Sequence, residues 1–402
     1  MAKTVYIVGT MDTKGIEFGF IKAQIEASGV STCVVNTGIL GDPELTPDVS
    51  ADEVAQAGNS SLQALRDDGD RGNSVTVMAQ GAATLIAERH AAGEVDGIIS
   101  LGGSAGTTIG TTAMQALPVG VPKLMVSTLA SGDTSPYVQS KDICMMYSVV
   151  DIAGINRLSR QILANAAGAI VGMVNANVAE AVDDKPLIAA TMFGVTTPCV
   201  TKAREILESA GYEVLVFHAT GTGGRAMEDL VRGGFLAGVL DVTTTELADE
   251  LVGGILSAGP DRLEAAGQAG LPQVVAPGAL DMVNFGPPDT VPDKFDNRQF
   301  YQHNPTVTLM RTTAEETAEL GKIMADKLNE ATGPTTVLIP TQGVSAIDKT
   351  DQPFDSPEAR DAWRENLKGN IGGNVTVIEM DAHINDDEFA IKLAETLLEK
   401  LK

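Results

Sequence analysis

The stretch "TVYIVGTMDTKGIEF", residues 4–18, contains the unit from which the whole chain is built. It opens with a largely apolar run, a polar turn follows at 10–14, and a helical pattern begins at Gly15. An apolar run that does not alternate with polar residues is typical of a strand covered on both faces of a sheet. Because open parallel sheets bind ligands beyond the carboxyl ends of their strands, the turn is a candidate ligand site.

The same strand pattern recurs along the chain, and helical stretches separate the runs. The runs lie at 4–9, 32–38, 97–103, 122–128, 186–192, 212–221, 237–243, 272–278, 335–341 and 374–380. Apolar strands alternating with helices predict an α/β fold with parallel sheets. The Pro- and Gly-rich segments 257–272 and 286–306 have a loop-like composition, and the chain ends in an amphipathic helix.

The two halves of the sequence resemble each other in detail. The matching pairs are Thr10-Met11 with Thr191-Met192, Thr37-Gly38 with Thr220-Gly221, and 96–103 with 237–244. We therefore predict two related, doubly wound (Rossmann-like) parallel-sheet domains, residues 1–182 and 183–402, with a cleft between them. Chance similarity between two βαβ units is the alternative.

Composition excludes several classes of partner. The chain has 402 residues, a net charge of −25 and 4% aromatic residues, which argues against nucleic acid and anionic membrane surfaces. No apolar run approaches the roughly 18 residues of a membrane span. Three widely separated cysteines and the absence of a signal-peptide pattern predict a cytoplasmic protein. The small, apolar stretch 157–181 fits packing between domains or a homo-oligomer interface.

The turn after the first strand supports two interpretations. Thr10, Asp12 or Thr13 would cap the following helix through its side chain, a contact worth about 1 kcal/mol. Alternatively, the free N–H groups at the helix start attract an anion, and Lys14 adds a positive charge. The phosphate-loop pattern GxxxxGK[ST] is absent, so spacing alone leaves both interpretations open.

A glycine-rich turn at 100–110, "SLGGSAGTTIG", is the strongest local signal for a ligand. Gly102, Gly103 and Gly106 permit close approach of a ligand to the backbone, and Ser104 and Thr107 add hydroxyl groups. The alternative is a tight turn whose glycines serve packing. The loop after the next strand offers further hydroxyl and glycine positions, which are Ser127, Thr128, Ser131 and Gly132.

The second half offers polar residues at its own strand ends. Arg225 follows a glycine loop at a helix start and suits a carboxylate or phosphate, and other segments of this half offer Asp241, Asp281, Arg311 and His383. A single histidine is more often structural than catalytic. Asp241, Asp281 and His383 come from separate loops, and no spacing rule supports a metal site, so we predict none.

Runs such as "IVGTMDTKG", "SLGGSAGTT", "HINDDEFA" and the whole of 216–249 resemble a family of bacterial, fungal and plant proteins. The family is typified by the N-terminal half of the tomato mosaic virus resistance protein, and the likeness covers essentially the whole chain. The resemblance implies ATP binding at the strand ends of the first domain. Mg²⁺ is a candidate cofactor that would accompany the ATP. In the plant protein a barrel-like domain follows this region, so the resemblance implies a separate barrel-domain protein as a partner. The implied ATP site comprises Thr10, Asp12, Thr13, Lys14, Thr37, Gly38, Arg71, Gly102, Gly103, Ser104, Gly106, Thr107, Ser127, Thr128, Ser131 and Gly132.

Three functions remain open at this point. The first is an enzyme, such as a kinase or ligase, that uses ATP on a small acidic metabolite held by Arg225, Asp241, Asp281, Arg311 and His383. The second is a nucleotide-sensing binding module that breaks no bond. The third is an enzyme that uses the glycine loops for another phosphorylated or carboxylated ligand without ATP.

Overall fold

A computed structural model describes residues 3–177 and 184–402. The chain divides into two compact units, Met1–Glu180 and Ala181–Lys402. The predicted domain boundary, between 182 and 183, lies outside the described residues. None of the helices in the described ranges is long and apolar enough to cross a membrane.

The first unit contains a five-stranded, all-parallel sheet in the order β2-β1-β3-β4-β5. Its elements are β1 (Thr4–Gly9), α1 (Gly15–Ala27), β2 (Ser31–Asn36), α2 (Ala51–Ala57), α3 (Leu62–Asp68), α4 (Arg71–Ala91), β3 (Gly97–Gly102), α5 (Ser104–Gln115), β4 (Lys123–Ser127), α6 (Ser135–Val138), β5 (Cys144–Tyr147) and α7 (Arg157–Val174).

Alternate residues of the first sheet face two different helix layers. Val5 and Ile7 of β1 pack with α1 and α7, whereas Tyr6 and Val8 pack with α4 and α5. Apolar side chains on both faces explain why β1 has no polar alternation in the sequence. The stretch 157–181, for which we predicted packing between domains or an oligomer interface, forms α7 up to Val174 and buries one face on its own sheet. Residues 178–181 of that stretch lie outside the described part of the chain.

The second unit contains a six-stranded parallel sheet in the order β14-β13-β9-β8-β6-β7 and a separate three-stranded antiparallel sheet in the order β10-β12-β11. Its elements are β6 (Leu187–Met192), α8 (Thr197–Ser209), β7 (Glu213–His218), α9 (Thr222–Arg232), β8 (Gly238–Thr243), α10 (Glu246–Val252), α11 (Ala265–Gln268), β9 (Gln273–Gly278), β10 (Met282–Phe285), β11 (Phe300–Asn304), β12 (Val307–Arg311), α12 (Ala314–Asn329), β13 (Thr335–Pro340), α13 (Pro357–Asn370), β14 (Val375–Met380) and α14 (Asp387–Lys400).

The predicted α/β class and the parallel sheets are confirmed, since every apolar run named above is a parallel strand. In each unit the first strand lies between the second and the third. The order of the strands therefore reverses at the first strand in both sheets. The assignment of 257–272 and 286–306 to loops was wrong in part, because the first contains α11 and the second contains β11. β11 is a mostly exposed edge strand whose last three residues are all polar, a weaker signal than a buried parallel strand.

Hydrogen bonds correct two of the predicted matches between the halves. The amide of Thr37 donates to Gly9, and the amide of Ala219 donates in the same way to Met192. Gly9 therefore corresponds to Met192, and the sequence match of Thr10-Met11 with Thr191-Met192 was wrong by two residues. The error arose because the same dipeptide, Thr-Met, occurs at different structural positions in the two units. It follows β1 in the first unit and forms the end of β6 in the second. Thr37 likewise corresponds to Ala219, so the match of Thr37-Gly38 with Thr220-Gly221 was wrong by one residue.

Candidate functional site

The order of strands in the first unit creates a crevice at the carboxyl edge of the sheet. The connections from β1 and β3 run to opposite faces, so the loops after these two strands diverge. Such a switch point is where open α/β sheets bind ligands. The loop after β1 is the turn 10–14, and the loop after β3 leads directly into α5.

The N-terminus of α5 is open at this crevice. Gly103 is its N-cap, and no side chain within the described residues caps it. Gly103 is half-buried and Ser104 is exposed. A Cβ atom on Gly103 would meet only the Thr128 hydroxyl, at 3.7 Å, whereas one on Gly102 would lie 2.7 Å from the Gly106 Cα. Packing therefore requires glycine at 102 but not at 103, where an added Cβ would make only an ordinary van der Waals contact.

Two of the predicted ligand residues near α5 instead hold its loop in place. The Thr107 and Ser127 hydroxyl groups lie 2.7 Å apart and are fully buried. The Ser127 hydroxyl also accepts a hydrogen bond from the Leu129 amide at 3.0 Å. These contacts fix the β4 loop beside the α5 terminus, so Thr107 and Ser127 position the crevice rather than line it.

The turn after β1 does not cap its helix in the way one interpretation predicted. Lys14 is the N-cap of α1, and no described side chain caps it. The Asp12 carboxylate instead accepts the amides of Leu40 and Gly41, at 2.8 and 3.2 Å, through Oδ2. Asp12 Oδ1 and the hydroxyl of Thr37 are buried without a hydrogen-bond partner among residues 3–177 and 184–402. A Cβ on Gly38 would collide with Asp12, so that glycine is required by packing.

Lys14 and Glu17 attach the first turn of α1 to the loop after β5. The Lys14 ammonium donates to the Ile152 carbonyl, and Glu17, which is buried, accepts the Gly154 amide at 2.6 Å. Lys14 is thus placed beside the crevice by a contact within the protein. Three other predicted residues, Arg71, Ser131 and Gly132, are exposed at a helix start and in the β4 loop.

In the second unit, the glycine loop at 221–224 is filled by the chain itself. Glu246 is fully buried, and its Oε1 accepts the amides of Gly221 and Gly224 at 2.7 and 3.0 Å. A Cβ on Gly224 would lie 2.1 Å from this carboxylate. The N-terminus of α9 therefore already holds an anion, which is the group that such a terminus attracts. Arg225 next to it is exposed and has no ion pair with another described residue.

Asp241 belongs to the same buried network, which is centred on Arg262. The guanidinium of Arg262 donates twice to Asp241, at 2.5 and 2.8 Å, and once to Glu246 at 2.7 Å. Glu228 lies 3.4 Å away and accepts two backbone amides. Burial raises the pKa of the Glu228 carboxyl, and the three surrounding carboxylates raise the pKa of Arg262 against the effect of burial. Asp241 is therefore committed to a structural ion network.

Asp281 and Arg311 meet at a second crevice in this unit. The pairing of β10 with β12 brings them together, and the Arg311 guanidinium donates to the Asp281 carbonyl at 3.1 Å and lies 3.4 Å from Asp348. The Asp281 carboxyl accepts the Ser345 hydroxyl at 2.8 Å through Oδ2. Asp281, Arg311 and Asp348 line a cavity of about 20 Å³ at the carboxyl ends of β9 and β13, together with Arg360 and Trp363 of α13.

His383 lies behind this cavity with both ring nitrogens occupied. Its Nδ1 accepts the Asn385 amide at 3.1 Å, so Nε2 carries the proton and donates to the Ser345 carbonyl at 2.9 Å. Burial lowers the pKa of the imidazole. A neutral ring without a free lone pair is suited to holding the Ser345 loop and not to general base catalysis.

Asp241, Asp281 and His383, which were considered together for a metal site, each bind a different partner within the protein. Asp241 pairs with Arg262, Asp281 binds Ser345, and His383 is occupied as described. Within the described ranges, no group of three or more His, Cys, Asp and Glu side chains is placed to hold a metal ion. Cys199 is buried, and burial raises the pKa of its thiol, which fits a core residue.

Sequence reasoning missed three residues that the structure brings to these sites. Arg262 lies in a segment assigned to a loop, and nothing in its surroundings marks it as buried. Arg360 and Trp363 could have been found, because they share one face of α13 at helical spacing.

The comparisons with known proteins follow the same division into two units. The N-terminal domain of an uncharacterised protein family (UPF0261) matches residues 3–179, and the C-terminal domain of that family matches residues 185–401. A UPF0261 protein from Clostridium tetani is 55% identical over 403 residues, which covers 100% of both chains. The chain belongs to this family.

A plant relative is longer than the chain. The ToMV resistance protein Tm-1 of Solanum lycopersicum is 39% identical over 419 residues, which covers 98% of this chain but 55% of the plant protein. Among solved structures, the UDP-N-acetylglucosamine 2-epimerase of Rickettsia bellii aligns with 68% of this chain and 79% of its own, at 9% identity and a TM-score of 0.23.

Proposed function

We propose that the chain binds ATP at the carboxyl edge of the first sheet and uses it on a small acidic metabolite. The observation that carries this proposal is the open N-terminus of α5, where Gly103 leaves the backbone accessible although packing does not require a glycine. Free amides at a helix start bind phosphate groups. Because the chain carries a net charge of −25, a phosphate ligand depends on such local donors.

The second unit supports the proposal by contrast. The Asp96 amide donates to Thr4, and the Ala237 amide donates to Leu187, so Asp96 and Ala237 are equivalent positions. Counting forward equally from each, Gly103 corresponds to Thr244. Thr244 and its neighbours Thr245 and Glu246 are fully buried. The second unit thus fills its own switch point with side chains, whereas the first leaves the same place open for a ligand.

Polar atoms at the neighbouring strand end suit the rest of the nucleotide. The Thr37 hydroxyl, which follows β2, is buried and has no partner in the described part of the chain. A buried hydroxyl without a hydrogen bond is costly, and a ligand that supplies the missing group gains affinity. We propose that the phosphates lie at α5 and the nucleoside lies toward the loops after β1 and β2.

The remaining features of the proposal concern the wider setting. We propose a cytoplasmic homo-oligomer, Mg²⁺ bound together with the ATP phosphates, and a separate barrel-domain protein as a partner. A sensor that binds ATP without breaking a bond is the second candidate. It is favoured by the structural roles of Asp241 and His383, which leave fewer groups free for catalysis.

Calorimetric titration of the full chain with ATP, with and without Mg²⁺, tests the binding site. Gly103→Val places a side chain where the phosphates would lie. We expect the affinity for ATP to fall at least about tenfold, which corresponds to about 1.4 kcal/mol of binding free energy. The matched control is Gly194→Val, which alters the turn after β6, where an added Cβ contacts nothing. Equal ATP affinity in a folded Gly103→Val protein would contradict the site.

Turnover assays then separate the candidates. Consumption of Mg²⁺-ATP when metabolite mixtures are added supports the enzyme, and tight binding without turnover under every condition supports the sensor. If the wild-type chain has no measurable affinity for ATP, the third function is favoured, in which the glycine loops bind another phosphorylated or carboxylated ligand.

A further inference from the structure

We propose that the cavity at the carboxyl ends of β9 and β13 binds the carboxylate group of a small organic acid. This inference rests on the proposed function for its biological role, since it names the acidic substrate and its site. The binding itself depends only on residues of the second unit.

Three residues that line this cavity each carry a buried polar atom that lacks a hydrogen-bond partner among the described residues. These atoms are Asp281 Oδ1, Arg360 Nε and Trp363 Nε1. Asp281 is 1% exposed and Trp363 is 4% exposed, so bulk water does not satisfy them. Buried polar groups are almost always paired, and three unpaired atoms around one cavity indicate a missing occupant.

Arg360 and Trp363 supply two N–H donors that are held in fixed positions. Arg360 donates through Nη1 to Asp348 at 2.7 Å and to Asp355 at 3.0 Å. These bonds anchor the guanidinium but leave its Nε–H for another acceptor. Since the indole N–H of Trp363 can only donate, the occupant must present at least two acceptors or one shared acceptor.

The charge around the cavity favours an anion. Arg311 and Arg360 line the cavity, and their guanidinium groups share one carboxylate, that of the buried Asp348. Burial, and then the charge of Asp348, raises the pKa of Asp281 to about 7, so that this carboxyl is protonated in mildly acidic solution. A protonated Asp281 adds a third donor and removes a charge that would repel a carboxylate.

A single buried water is the simplest other occupant. The cavity of about 20 Å³ is large enough for one water, which typically makes three hydrogen bonds. The rest of the lining is largely apolar and includes Leu280, Ile339 and Val344. Apolar walls around a few convergent polar groups are typical of sites for organic ligands, and arginine pairs well with carboxylates.

The chain provides its own probe for this site, because Trp363 is its single tryptophan. We would titrate the full chain at pH 6, without ATP, with acetate, glycolate and succinate while recording tryptophan emission. The expected result is a saturable change with these carboxylates but not with acetamide, the neutral analogue of acetate. A response to inorganic phosphate alone, equal responses to acetate and acetamide, or no saturable response would overturn the proposal.

Two conservative variants remove one donor each. Arg360→Lys keeps a positive charge beside Asp348 but loses the Nε–H, and Trp363→Phe keeps a ring but loses the indole N–H. We expect carboxylate affinity, measured by calorimetry, to fall about tenfold or more in each. Arg204→Lys, in an exposed helical ion pair, is the matched control. Unchanged affinity in both folded variants would show that the cavity holds only water.

The design separates this inference from the ATP site. The Gly103→Val protein should bind acetate as the wild type does. If the chain binds ATP but no carboxylate, this inference fails and the ATP site stands; the reverse result leaves the carboxylate site and removes the ATP site.

Discussion

Arg262 is the centre of a buried ion network in the second unit. It is fully buried and pairs with Asp241, Glu246 and Glu228, so one positive charge faces three carboxyl groups. Buried ions are costly to desolvate, and this arrangement is tolerated because backbone amides satisfy the remaining oxygens. The network joins the glycine loop before α9, the end of β8 and the start of α10.

Replacing Arg262 with methionine should strongly destabilise the second unit. Arg262→Met keeps an apolar stem of similar length but leaves three buried carboxyl groups without their partner. Breaking a buried ion pair costs about 3–5 kcal/mol. The free energy of unfolding, measured by denaturant titration, should fall by about that amount.

The control for this variant is Arg204→Met, which removes an exposed helical ion pair and should change the free energy of unfolding by about 0.5 kcal/mol or less. Equal stability of Arg262→Met and the wild type would mean that the network contributes no net energy.

Individual residues were the level at which the sequence was least informative. Asp241 and Asp281 were identified because they lie near the end of a buried strand or just after one, but strand position does not reveal what a side chain contacts. Asp241 proved to be held by Arg262, and Asp281 proved to line a cavity. Partners such as Arg262 and Arg360 come from distant segments, so only the folded chain brings them together.

At the level of elements, the first turn of α1 anchors the loop after β5. Lys14 donates to the Ile152 carbonyl, and Glu17 accepts the Gly154 amide at 2.6 Å. The loop borders the crevice proposed for ATP, because its Ser148 amide donates to Ser127 at the end of β4. Two side chains of one helical turn thus fix a loop more than 130 residues away in sequence.

Removing these anchors should loosen the loop without unfolding the sheet. Lys14→Met and Glu17→Met each delete one hydrogen bond, worth about 1 kcal/mol, so amide exchange at 150–156 should accelerate several-fold. Hydrogen–deuterium exchange read by mass spectrometry measures this, with Lys22→Met on the same helix as control. Unchanged exchange in both variants would show that other contacts hold the loop.

Parallel strands could be predicted from the sequence, but the antiparallel sheet could not. β1 and β8 are largely apolar runs because both faces of each sheet are covered. β11 and β12 are short, and β11 is exposed and polar, so its composition is that of a loop. This small sheet nevertheless pairs Met282 with Arg311 and thereby places Asp281 at its cavity.

At the scale of the whole molecule, each unit has its own apolar core, as an independent domain does. The apolar clusters on both faces of the first sheet consist of residues 5–174, and those of the second unit consist of residues 187–401. Both units have sizes at which single cores are common. Each also carries one of the two proposed ligand sites on its own strand ends.

We therefore expect segments 1–180 and 181–402 to fold separately, each with a cooperative thermal transition and a near-ultraviolet circular dichroism signal. Because the proposed ATP site uses only loops of the first sheet, segment 1–180 should retain ATP affinity. Segment 181–402 contains Trp363 and should retain the fluorescence response to acetate. A segment that lacks a cooperative transition depends on its neighbour for stability. A folded segment that loses its ligand would show instead that the other unit contributes to that site.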